Sequence, residues 1–271
     1  MLRSMYSGVS GMRGFQTKLD VIGNNIANVN TVGFKSGRVM FKDIMSQTVS
    51  GVTPPTEGEA GGSNAKQIGL GVSIGSIDTL HTGGSAMTTN NPLDLRIDGD
   101  GFFLVKLSAD QEVPFLTRAG DFHLDASRQL VTSDGLLVCD SGGVPIQIED
   151  DVTAFTIAQN GSIIQKRSSG DTDTGAQIGI GKVTNPEGLE KIGGNLYRMT
   201  LNADTEELAP TTANNAEAGT GAIIAGQLEM SNVDLTGEFT EMIVAQRGFQ
   251  ANSRIITTSD EVLQEVVNLK R

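Results

Sequence analysis

The sequence has no tryptophan, two tyrosines and one cysteine among its 271 residues, and only 4% of it is aromatic. A single cysteine, Cys139, cannot close an internal disulfide, so no oxidative staple is expected in the fold, and Cys139 reads as a small buried apolar residue. Basic residues are outnumbered, 20 Lys and Arg against 32 Asp and Glu, for a formal charge of −12. That balance argues against nucleic-acid binding. No apolar run approaches the ~18–20 residues needed to cross a bilayer, so no membrane insertion is expected. The first thirty residues are interrupted by Gly8, Gly11, Gly14, Lys18 and Asp20 and do not read as a cleaved secretory signal.

Recognisable reaction chemistry is scarce as well. Gly71-Val-Ser73-Ile-Gly75 matches a nucleophile-elbow pattern, but no helix follows it, and the two histidines, His81 and His123, show no triad context. Asp94, Asp98 and Asp100 beside Gly99 and Gly101 fail the spacing of a calcium loop and read better as hairpin turns. Two histidines and one cysteine give no transition-metal cluster by spacing. The glycine pairs at 69/71 and 219/221 lack the remainder of a phosphate loop. No catalytic residue, cofactor or metal is expected.

What is present is periodicity at both ends. Met5, Val9, Met12, Leu19 and Ile26 form a heptad stripe, widened by Phe15 and Ile22, which predicts a helix over Leu2 to Val29. Its four glycines, at 8, 11, 14 and 23, each cost about 1 kcal/mol relative to alanine in a helix interior, so this helix is expected to be weak in isolation. Near the other end Asp234 is a plausible N-cap, and Leu235, Phe239, Met242, Phe249, Ile256 and Leu263 continue a four-three spacing through Gln246 and Ser253. The first fifty residues carry a net charge of +4 and residues 231–271 a net −2. The simplest arrangement pairs the two helices, basic beside acidic.

Between the ends the period changes to two. Short runs such as Leu93 to Ile97, Phe102 to Val105, Phe122 to Leu124, Leu136 to Cys139, Val144 to Ile148 and Phe155 to Ile157 are separated by Asp-Gly and Asn-Gly turns, which predicts an all-β domain. Ser50 to Asn64 and Ala203 to Gly221 are rich in Gly, Pro, Thr and acids and read as connectors. The expected class is α+β. Residues 1–34 and 231–271 would form a coiled-coil-like helical domain, 35–71 and 203–230 the connecting segments, and 72–202 the β domain.

One local motif is more specific. Asn24, Asn25, Asn28 and Asn30 close the first helix, where asparagine tolerates left-handed geometry, and Gly33 then turns the chain so that Phe34 can anchor it. Here the sequence resembles the flagellar axial proteins of bacteria, the rod, hook and hook-associated family. LDVIGNNIANVNTVGFKSG from Leu19 resembles the family's N-terminal signature, and the stretch from Glu238, including Gln246 and Arg247, resembles its C-terminal one. LDLRIDGDGFFLV from Leu93 and LTRAGDFHLD from Leu116 match the centre. Within the family the chain looks most like short hook members of Gram-positive bacteria, with the distal rod as alternative and a hook-associated junction protein as a further one.

The resemblance implies a homopolymer, a helical tube transmitting motor torque at the cell exterior or in the basal body, with terminal helices inside and the β domain outside. It implies neighbours among distal rod and junction proteins and a hook cap, and export unfolded through the flagellar type III apparatus. In the hook reading, flexing of Ser50 to Asn64 would let subunits shift as the tube bends.

Overall fold

The computed structural model describes residues 2–54, 61–109, 111–168, 171–204 and 208–269. They divide into a helical unit, made of residues 1–27, 37–79 and 234–271, and a β unit, made of 28–36 and 80–233.

The helical unit contains helix α1, Leu2–Ala27, and helix α2, Leu235–Asn268, with two hairpin layers. Asp234 caps α2 as expected, its carboxylate accepting from the Thr236 N–H at 3.0 Å. The strand Gly37–Asp43 pairs antiparallel with Val72–Thr79, and beyond it Ser46–Ser50 pairs with Lys66–Gly69. The segment expected to be a connector over 35–71 therefore carries strands. Their side chains are largely exposed, so the burial alternation that betrays a strand is weak there. Within Ser50 to Asn64, residues 55–60 lie outside the described residues.

The helices meet along a line that follows the heptad stripe only in part. On α1 the buried positions facing α2 include Gly8 and Gly11; a Cβ at Gly11 would lie 2.9 Å from the Asn252 side chain, and one at Gly248 2.6 Å from the Phe15 ring. The contact line of α2 thus passes through Gly248, Asn252 and Ile256. Glycines that weaken the helix in isolation are what let it approach its neighbour. Lys18 donates to Glu241 at 2.5 Å, an ion pair of the expected sense between the helices.

The β unit is built around Phe102–Lys106, which pairs antiparallel with Phe115–Thr117, Leu137–Val138 and Gly179–Gly181. Its period of two feeds two cores. Phe103 and Val105 pack with Leu95, Phe122, Leu130, Ile163 and Ile180, whereas Phe102 and Leu104 pack with Leu116, Cys139, Val183 and Tyr197. A strand buried on both faces reads as a continuous apolar run, as FFLV does. A meander of Val152–Ile157, Ser162–Arg167 and Thr172–Gln177 forms a separate three-stranded sheet.

Three expectations change here. Val144 to Ile148 forms isolated bridges instead of a strand, Cys139 to Pro145 and Gln129 to Gln147, because Pro145 has no N–H to extend a ladder. Residues 203–230 are integral to the β unit: Thr211–Thr212 pairs with Gly179–Gly181, Ala222–Ala225 with Leu95–Asp98, and Gln227–Glu229 with Ala86–Thr88. The Gly-, Thr- and acid-rich composition masks the buried apolar residues Ala203, Ala213, Ile223 and Leu228. Third, none of the asparagines from 24 to 30 has positive φ; that geometry falls to Gly33, at 68°.

Candidate functional site

The residues singled out by the sequence fall into two groups. Those on the helices define two faces of the helical unit. Met5, Val9, Met12, Leu19 and Ile26 on α1 are half-buried, as are Met242, Ile256 and Leu263 on α2. Leu235, Phe239 and Phe249 remain 39, 50 and 37% exposed, with Ile243 beside them at 60%. Gln246 and Arg247 are exposed too. α2 therefore presents large apolar side chains to solvent along a face that α1 does not cover, more than isolated surface residues would require. A groove of about 490 Å³ on the same unit is lined by Tyr6, Val9, Arg13, Ile44, Leu70 and Ile74.

The motif after α1 is divided between the units. Asn25, 1% exposed, grips Gly37 at two points, its amide donating to the carbonyl at 2.8 Å and its oxygen accepting from the N–H at 2.9 Å. The same amide donates to Glu238 on α2 at 3.0 Å. Asn24 is exposed, and the Asn28 side chain accepts from the Thr31 hydroxyl at 3.1 Å.

Residues 28–36 form part of the β unit and are locked into it. Gly33 lies so close to the chain at Arg118 and Ala119 that a Cβ would sit 2.7 Å from the Ala119 nitrogen, and its N–H donates to the Glu229 carbonyl at 2.8 Å. Both the positive φ and the close approach require glycine. Phe34 is buried, with the Lys191 ammonium 4.9 Å from its ring centroid. Asn195 donates to the Val32 carbonyl at 2.8 Å, Lys191 to the Lys35 carbonyl at 2.9 Å, and the Ser36 N–H donates to Asn232 at 2.8 Å.

At the centre of this lock, Lys35 is fully buried. Its ammonium donates to Glu229 at 2.5 Å and to the Thr82 carbonyl at 2.8 Å. Arg118 meets the other Glu229 oxygen at 3.3 Å, donates to the Gly99 carbonyl at 2.9 Å and stacks 5.2 Å from the Phe102 ring centroid. Burial pushes Lys35 below the ordinary lysine range, against the opposing pull of the Glu229 carboxylate. Burial tends to raise Glu229, but Arg118 and then Lys35 outweigh it and hold the carboxyl below its usual range. Removing one partner of such a cluster leaves an uncompensated interior charge.

Arg118, Glu229, Asn232 and Asn195 were not singled out from sequence. Lys35 and Arg118 do stand in otherwise apolar, glycine-flanked stretches, which is a signal for buried charge, but Glu229 lies 194 positions from Lys35 and no local pattern reveals the pairing.

Ser73 lies within the strand Val72–Thr79, which continues past it without a helix. Both ring nitrogens of His81 are buried without a hydrogen-bond partner, and burial first, then the nearby Lys35, Lys191 and Arg118 charges, hold its pKa down to about 4. That is not the setting of an oriented general base. Among the described residues no cluster of three metal-ligating side chains occurs, and no helix is long and apolar enough to cross a membrane.

A locked β unit and a helix pair with open apolar faces are the attributes of a structural protein. Three stretches match family profiles: residues 5–35 match the flagella basal body rod protein, 96–165 the flagellar hook protein FlgE/F/G D1 domain, and 224–269 the flagellar basal body rod FlgEFG protein C-terminal region. Over 271 residues, covering all of both chains, the sequence is 55% identical to the flagellar basal-body rod protein FlgG of Bacillus subtilis strain 168. The corresponding Caulobacter vibrioides rod protein is 36% identical over 273 residues, covering 99% of this chain and all of that one. The hook protein FlgE of Borreliella burgdorferi is 29% identical over an alignment of 449 residues that covers all of both chains. The chain belongs to the flagellar rod and hook protein family. It is a structural component of the flagellar rod or hook and not an enzyme.

Proposed function

We propose that the chain is the distal rod subunit of the flagellar basal body, polymerising with copies of itself into a helical tube that passes torque outward. This reverses the order of the sequence-based reading, which placed hook first and rod second. The observation that carries it is the similarity to the Bacillus subtilis rod protein, 55% identical over 271 aligned positions that span both chains. The two hook relatives align over 449 and 471 positions at 29 and 28% identity, a weaker and more gapped match than the rod protein's.

The open apolar faces supply the physical rationale. α1 and α2 would pack with the helices of neighbouring copies in a coiled-coil-like inner layer, burying Leu235, Phe239 and Phe249, and the β unit would form the outer layer. Weak, glycine-containing helices that gain their stability from neighbours couple folding to assembly and suit export in an unfolded state through the flagellar export apparatus. Junctions with hook and other rod subunits at the ends of the tube follow from this placement.

The test is deletion of the gene in its host, with basal bodies isolated and imaged. A rod subunit leaves shortened rods with no hook; complete rods that end bare would return the assignment to the hook. Complementation with the chain lacking 1–30 and 234–271 should restore neither structure.

A further inference from the structure

Lys35, Arg118 and Lys191 surround His81; Glu229 pairs with the first two, and both its oxygens are already engaged. Oε1 accepts from Lys35 at 2.5 Å and from the Gly84 N–H at 3.0 Å, and Oε2 meets Arg118 at 3.3 Å. His81 stands at the head of the loop that supplies the Thr82 carbonyl to Lys35. Its ring packs edge-on against Phe102, at 5.7 Å between centroids, and against Tyr197, at 5.4 Å. Among the described residues, the charged groups around it are cationic or already neutralised: Lys35 on the motif segment, Arg118 after the strand Phe115–Thr117, Lys191 on Glu190–Gly193, and Glu229 on Gln227–Glu229. Tyr197, on Leu196–Arg198, has its phenol pushed upward by burial and stays neutral.

We propose that His81 is an acid-operated release for the docked motif segment 28–36, its protonation adding a fourth cation that the single Glu229 carboxylate cannot neutralise. The imidazolium has no acceptor for either N–H where it stands, because both nitrogens are buried and unpartnered. It reaches water only by leaving the Phe102 and Tyr197 rings. That movement carries Thr82 with it, and Thr82 holds both Lys35 and, through its hydroxyl at 2.9 Å, Asn232. Asn232 in turn holds Ser36, so both ends of the Lys35 region lose partners together. The depressed pKa of about 4 agrees in direction with this geometry. The folded state binds fewer protons than the unfolded one between that value and ordinary histidine near 6.5, so the lock is fully held above that window and weakens as pH falls through it.

With two histidines in the chain, the experiment is direct. Imidazole resonances of the full-length protein are titrated by NMR while hydrogen exchange is followed at peptides covering 28–36. The expected result is that His81 titrates well below 6.5 and that exchange of the Gly33 amide, corrected for intrinsic pH dependence, rises at least about tenfold over the same pH range. In His81→Phe, which keeps ring contacts and takes up no proton, that rise should vanish. His81→Gln serves the same purpose if the phenylalanine variant fails to fold. An ordinary histidine titration, or an unchanged rise in exchange in the variants, overturns the proposal.

Discussion

The two units bury their apolar residues to very different extents. The β unit encloses two cores and leaves Phe103, Leu104, Leu116 and Phe122 without solvent exposure, whereas in the helical unit only Ile22 and Ala245 are buried apolar residues among those described. At roughly 1.5–3 kcal/mol for each fully buried large side chain, the β unit carries its own stabilisation. The helical unit leaves Phe239, Ile243, Val244, Ile255, Val262 and Val266 between 42 and 60% exposed. A chain that isolates its stability in one part and its stickiness in the other can remain a folded monomer while its helices await neighbours.

The sharpest way to break this contrast is through the lock of the β unit. Glu229→Ala leaves Lys35 and Arg118 buried with no carboxylate, and the β unit should lose about 3–5 kcal/mol. Urea unfolding followed by far-ultraviolet circular dichroism and tyrosine fluorescence measures it; a loss below 1 kcal/mol would mean that the cluster is not the keystone its geometry describes. Because the Glu229 side chain holds the Lys35 ammonium inside the motif segment, protease cleavage within 28–36 should accelerate in the same variant.

A middle-sized effect should appear in assembly and not in monomer stability. Phe239→Ser combined with Ile243→Ser removes two apolar groups that solvent already reaches, and the monomer's unfolding free energy should change by no more than about 0.5 kcal/mol per site. Assembly should be lost, read by sedimentation and negative-stain microscopy at concentrations where the unaltered chain forms tubes. Monomers destabilised as a core substitution would destabilise them, with assembly preserved, would reverse the roles assigned to the two units.

The same contrast explains what could be read from the sequence. Both helices are visible because a heptad stripe repeats over more than twenty residues, and Asp234 announces the start of α2. FFLV shows a strand because every one of its side chains is buried. The exposed strands Ser46–Ser50 and Lys66–Gly69 carry no such alternation, and Ala222–Ala225 is short and enclosed by glycines. The helix contact line was hidden for a different reason: hydrophobic periodicity marks large side chains, while the closest approach of α1 and α2 is made by Gly8, Gly11 and Gly248, which periodicity counts as gaps. The lock was hidden by distance along the chain, since Lys35, Arg118 and Glu229 come from three separate segments. Gly33 and Phe34 were found because a turn glycine and an apolar anchor are local features.

The smallest effect separates the two uses of glycine in α1. A Cβ at Gly11 would meet Asn252 at 2.9 Å, but at Gly23 it would meet nothing within 4 Å. Gly23→Ala should therefore gain the intrinsic helix preference of alanine, about 0.8–1 kcal/mol, with no packing cost in the single chain. Helicity of the helical unit should rise at elevated temperature, while unfolding of the β unit stays fixed. Assembly would turn the same substitution into a probe of the polymer, because the space beside Gly23 is open in the single chain. If a neighbour's helix packs there, the variant should be more helical as a monomer yet slower to form tubes; equal or faster tube formation would show that Gly23 faces no neighbour.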